Sequence, residues 1–113
     1  MVYFGASPAI VILEKLAHID PPLLAEDLIL SRFEGDVSVE DVLQSEVNDV
    51  HDLKQTRARG EAFLKAKKAC ILRVPSILVP EEYNLVLNPL HPDASKIQAY
   101  DHRDFTFDGR LLG

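Results

Sequence analysis

Residues 73–93 read RVPSILVPEEYNLVLNPLHPD: four prolines, two asparagines, a serine and a histidine around short apolar runs. Each proline lacks an N–H and fixes one backbone dihedral. The residues ahead of them, Val74, Val79, Asn88 and His91, are pushed out of the helical region. The stretch therefore reads as a pre-set extended and turn framework. Such a framework can hold Ser76, Asn84, Asn88 and His91 with little ordering cost when a ligand arrives. The same features also describe an ordinary loop. In that reading Asn88-Pro89 and His91-Pro92 start turns, and their side chains satisfy nearby backbone groups.

Upstream of this stretch, Ala69–Val74 reads as an interior strand, apolar except for Arg73 and led by Cys70. Leu53–Lys68 reads as a helix with Phe63 and Ala66 facing inward, although Gly60 weakens it by about 1 kcal/mol. At the start, MVYFGA reads as a strand ending at Gly5, taken as a flexible point. Ser7-Pro8 then opens a helix, with Ser7 as cap and Pro8 at the first turn, where its missing N–H costs nothing. That helix is expected to reach His18 or Ile19 and to stop at Pro21-Pro22. Leu28–Phe33 is a further strand, Val39–Leu43 a short helix, and Lys96–Tyr100 and Phe105–Phe107 the last strands. No repeat or Gly/Ser linker divides the chain, so residues 1–113 are expected to form one domain of mixed α+β class.

The balance of 18 acidic against 12 basic residues gives −6 and argues against direct nucleic-acid binding. The charge is segregated: seven carboxylates without Lys or Arg lie between Glu34 and Asp52, and seven basic residues between Lys54 and Arg73. Two solvated faces, or a basic surface that draws phosphates or an acidic partner, both fit. The single cysteine excludes an intrachain disulfide and a cysteine-cluster metal site. The apolar run Ala9–Leu13 is too short to span a bilayer, and nothing resembles a signal peptide. A soluble, cytoplasmic protein without membrane contact is the expectation.

Glu14 is the odd residue of the first helix. Its neighbours at helical spacing are Ile10, Val11, Ala17 and His18, so it shares a mostly apolar face. It is either at a helix edge reaching water, with His18 or Lys15 able to pair with it, or held in a cleft for use. Burying it unpaired would cost several kcal/mol. Tyr3, eleven residues earlier, is either a core tyrosine or a pocket residue meeting Glu14 near the end of the first strand. No GxGxxG, GxxxxGK[ST] or GxSxG pattern is present. His18, His51, His91 and His102 never show HExxH spacing, so no metal is expected. His91 with Ser76 could suggest a hydrolase pair, but distance along the chain says nothing about contact.

Three blocks carry a resemblance: VYFGASPAIVILEKLAHI, TRARGEAFLKAKKACILRVPSILVPEEYNLVLNPLHPD and FTFDGRLLG. Together they closely resemble the C-terminal, larger part of the RES domain family, toxins of bacterial RES–Xre toxin–antitoxin pairs. The matching positions are Tyr3, Glu14, Ser76, Asn84, Asn88 and His91, with Gly60 at the family's glycine. The resemblance implies an ADP-ribosyltransferase-like fold and consumption of NAD as substrate, without a metal. The reaction would be phosphorolysis, hydrolysis or ADP-ribosyl transfer. It also implies Glu14, Ser76 and Tyr3 as catalytic residues, and Tyr3, Asn84, Asn88 and His91 as NAD-binding ones. Glu14 would stabilise positive charge on the ribose and Ser76 would orient the nicotinamide end, while His91 would approach phosphate.

The family's signature arginine lies upstream of the VY strand, and none of Arg57, Arg59 and Arg73 matches it. Two expectations follow: a sheet with an exposed edge, and a pocket without its anion clamp. An Xre-type antitoxin is the expected partner, with a homodimer as a further one. The competing reading is a truncated, catalytically inactive domain that acts as an interaction or dimerisation module.

Overall fold

A computed structural model describes residues 2–19, 27–42 and 53–112. In chain order the elements are β1 (Val2–Gly5), α1 (Pro8–His18), β2 (Leu28–Glu34), β3 (Val39–Asp41), α2 (Leu53–Ala66), β4 (Ile71–Pro75), β5 (Tyr83–Leu87) and β6 (Gln98–Phe105). Short 3₁₀ turns follow β5 at Pro92–Lys96 and β6 at Gly109–Leu112. The fold is mixed α+β. A four-stranded sheet runs in the order β1-β5-β4-β3, and β2 and β6 form a separate antiparallel ribbon. Within the larger sheet β1–β5 and β5–β4 are antiparallel, while β4–β3 is parallel.

Three expectations are corrected. The proline-rich stretch is not only loop and turn: Tyr83–Leu87 is a strand between β1 and β4. Its prolines, at 75, 80, 89 and 92, bracket the run YNLVL and never interrupt it, so β5 keeps all of its own N–H groups, and Pro75 sits only at the end of the neighbouring β4. The short helix expected at Val39–Leu43 is instead β3, paired in register with Ile71–Arg73, while Leu43 lies outside the described residues. The two last strands are one, Gln98–Phe105. Lys96 belongs to the preceding 3₁₀ turn, and Phe107 lies beyond the strand, buried edge-on against Phe105. Pro21-Pro22, the expected helix stop, also lies outside the described residues.

The two faces of the sheet carry separate cores. Directly opposed residues share a face. Tyr3, Val86 and Leu72 therefore form one row, and Gly5, Asn84 and Val74 the next. On this face Phe63 of α2, only 1% exposed, packs with Ala69, Leu72 and Val86. The opposite face holds Ile71, Leu87 and Cys70 against Phe4, Leu85, Val37 and Ile97. There Phe4 meets Phe33 of the ribbon edge-on, with ring centroids 5.3 Å apart. The segregated charges partly neutralise each other, since Glu40 pairs with Arg59 at 2.7 Å and Asp41 with Arg73.

Helix α1 begins as its sequence dictates. Ser7 Oγ accepts from the Ile10 N–H at 3.2 Å and Pro8 fills the first turn. Gly5 is needed for space. A Cβ there would sit 2.9 Å from Val11 Cβ and 3.0 Å from Ile10 Cγ2, so the glycine lets the start of α1 lie against the end of β1. This close approach sets where the next turn of the helix, and with it Glu14, meets the sheet.

Candidate functional site

Glu14 lies on the face of α1 that turns toward β5, with its side chain 23% exposed. Its Oε1 accepts two hydrogen bonds, from Ser76 Oγ at 2.8 Å and from Asn84 Nδ2 at 2.9 Å. These partners are 62 and 70 residues away in sequence. The acid is therefore tied to β5 and to the turn after β4, and it also keeps the His18 neighbour that the helix-edge reading expected. His18, one helical turn on, brings Nε2 to 3.6 Å from Oε2.

Ser76 is only 1% exposed. Its hydroxyl oxygen accepts from the backbone N–H groups of Leu78 and Val79 at 3.1 and 3.2 Å. Those two bonds occupy its lone pairs, so its single proton goes to Glu14. The turn that positions it follows directly from the sequence. Pro75 ends β4, and Ser76 N–H then donates to the Glu82 carbonyl at 2.8 Å, closing the loop that returns as β5. Ser76 thus reaches the cleft through Glu14.

A cavity of about 340 Å³ opens beside this cluster, walled by Tyr3, Phe4, Gly5, Val11, Glu14, His18 and Asn84. Tyr3 is 68% exposed, so it is a wall residue and not a core tyrosine. Tyr3, Phe4, Gly5 and Val11 also border a larger open groove of about 1740 Å³ between α1 and the β2–β6 ribbon.

Asn88 and His91 are not brought to this cluster. They follow β5 at the end away from Asn84, with Asn88 about 13 Å along the strand direction from it. Asn88 is 1% exposed, and its Oδ1 accepts from the Leu90 N–H at 3.1 Å. His91 Nδ1 accepts from the Asp93 N–H at 3.0 Å and caps the 3₁₀ turn. Both side chains hold their own loop, which is the turn-starter reading. His91 and Ser76 make no hydrolase pair, since each is engaged with other groups.

Burial pushes the Cys70 thiol up, with Asp93 adding to the effect. The guanidinium of Arg73, hydrogen-bonded to Asp41, holds that carboxyl below its ordinary range. Among the described residues no group of His, Cys, Asp and Glu side chains is arranged to hold a metal ion. None of the described helices is long and apolar enough to cross a membrane.

Sequence reasoning missed His18 as a wall of the cavity, although its i,i+4 spacing from Glu14 was the available signal. It also missed the steric role of Gly5, which needs three-dimensional placement to be seen.

A model of the RES domain matches residues 1–108. A Sphingobium protein named "Prs ADP-ribosylating toxin" is 30% identical over 124 residues, which cover 99% of this chain and 74% of that protein. A Pseudomonas putida protein named "Toxin Res" is 37% identical over 120 residues, covering 99% of this chain and 79% of its own length. Another "Toxin Res", from Photorhabdus laumondii, is 32% identical over 117 residues, covering 98% and 75%.

Proposed function

This chain belongs to the RES domain family, and on that footing we propose that it is an NAD-consuming toxin with an ADP-ribosyltransferase-like fold. The relatives are named as toxins, and one as ADP-ribosylating, which supports both halves of the reading. The observation that carries it is the fixing of one carboxylate, Glu14, by two donors beside a cavity of nucleoside size.

Breaking the bond between nicotinamide and ribose leaves oxocarbenium character on the anomeric carbon. A carboxylate already oriented beside that carbon stabilises the charge without reorganising during the reaction. Glu14 has this part. Ser76 and Asn84 act as the brace that keeps its Oε1 in place, and Asn84 also lines the cavity, where it can bond to substrate. Tyr3, exposed on the wall, stacks on the nicotinamide or bonds to the ribose. Asn88 and His91 have no contact with substrate in this reading. Phosphate, water or a protein side chain completes the reaction by attacking the anomeric carbon. The antitoxin partner is of the Xre family and blocks the cavity mouth.

A second reading, an inactive module that acts by interaction, is favoured by one set of observations. Arg59 and Arg73 are committed to Glu40 and Asp41, and among the described residues β1 is the end strand of its sheet, with Val2 42% and Tyr3 68% exposed. In that reading the antitoxin or a second copy covers β1.

The deciding measurement is NAD loss, with and without phosphate, for the chain as it stands and for its coding sequence extended in frame upstream. Turnover is expected in at least the extended form. Glu14→Gln should lower kcat by about 10²–10³-fold while leaving the protein folded. A folded, extended protein that leaves NAD intact and yet binds the antitoxin would establish the second reading instead.

A further inference from the structure

The two oxygens of Glu14 are treated differently by the fold. Oε1 is braced by Ser76 and Asn84 at 2.8 and 2.9 Å. Among the described residues, Oε2 has no donor within hydrogen-bond distance. Its nearest polar neighbour is His18 Nε2, 3.6 Å away. A carboxylate fixed through one oxygen can still swing about that contact, and the oxygen left loose is the one available to the sugar.

We infer that His18 is a positioning residue, closing from 3.6 Å to a hydrogen bond on Glu14 Oε2 when substrate fills the cavity. The inference rests on the reading of Glu14 given above. Two features of the molecule support it. His18 stands one turn after Glu14 on the same helix face, where side chains meet. It also lines the same cavity as Tyr3 and Asn84. The remaining gap is less than 1 Å, and groups that act in a reacting complex commonly stand slightly apart before it forms.

The imidazole is 79% exposed, so packing does not explain its presence and its removal leaves no core cavity. That exposure makes the test clean. Steady-state NAD turnover is compared for the wild-type chain, His18→Ala, His18→Gln and Glu14→Gln, in whichever form of the protein shows turnover. His18→Ala is expected to lower kcat about tenfold with KM changed less than about twofold. His18→Gln, whose amide nitrogen falls near the place of Nε2, should recover most of the loss. A nitrogen NMR signal for His18 Nε2 that moves on Glu14→Gln at fixed pH would report the pairing independently of turnover.

The inference is overturned by a His18→Ala protein with wild-type kcat, by a His18→Gln protein as slow as His18→Ala, or by an Nε2 signal indifferent to Glu14→Gln. Failure of the underlying reading looks different. Glu14→Gln would then turn over NAD like the wild type, and the inference would fall with it.

Discussion

The four-stranded sheet and the β2–β6 ribbon are both built largely of antiparallel pairs, yet they use polar groups in opposite ways. Around the sheet, Glu14, Ser76 and Asn84 come together at 2.8–2.9 Å, with Ser76 1% exposed and Glu14 23%. Along the ribbon, Arg32 meets Asp101 at 3.0 Å with the two side chains 60% and 71% exposed. Ser31 Oγ faces His102 Nδ1 at 2.7 Å, likewise in the open. The contrast teaches that distance alone does not rank a polar contact. A hydrogen bond to a buried group is costly to break, because the stranded partner cannot turn to water. One in solvent exchanges for water at little cost.

Breaking the sheet side at its apolar centre should have the largest effect. Phe63→Ala removes the ring that α2 sets on Leu72 and Val86 and leaves a hole between helix and sheet. The expected loss is about 3–5 kcal/mol in a urea titration, a large part of the stability of a domain this size. A loss under about 1 kcal/mol would mean that α2 is not integral to the fold.

Next in size is Ser76→Ala. It deprives Glu14 of one donor and strips the acceptor from the Leu78 and Val79 N–H groups. About 1–3 kcal/mol of stability should go. The turnover proposed for Glu14 should fall by about tenfold or more, because its Oε1 is then held by Asn84 alone. If the stability loss appears with kcat untouched, Ser76 serves the turn and not the acid.

How much of this was legible in the sequence follows from the range of each interaction. Helix α1 was readable because its determinants, Ser7-Pro8 and the apolar spacing through Ile10 and Val11, act within a turn or two. The Leu28–Glu34 strand and α2 were readable for the same reason. Strand β5 was hidden because four prolines nearby suggested loop, although YNLVL itself contains none. Strand β3 was hidden because three residues carry too little pattern, and its identity comes from pairing with β4. The brace on Glu14 closes over 62 and 70 residues, a distance at which local patterns are silent. Periodicity singled out Glu14, while the proline framework and the family resemblance both took Asn88 and His91 together with Ser76 and Asn84. Asn88 and His91 share the stretch with Asn84 without sharing its end of the strand.

The smallest expected effect belongs to the ribbon and sharpens the comparison from its other side. Arg32 spans two weak contacts, the Asp101 carboxylate and the Tyr100 ring, whose centroid lies 5.7 Å from the guanidinium carbon. Both are exposed, so side-chain entropy and water already offset most of what the contacts contribute. Arg32→Ala should therefore cost no more than about 0.5–1 kcal/mol. That cost should shrink further in about 1 M salt, where the screening length drops to about 3 Å. Paired urea titrations at low and high salt measure both quantities. A loss above about 2 kcal/mol that survives high salt could not come from a solvated ion pair. It would place the ribbon in the same cooperative unit as the sheet, coupled through the aromatic contact of Phe4 with Phe33.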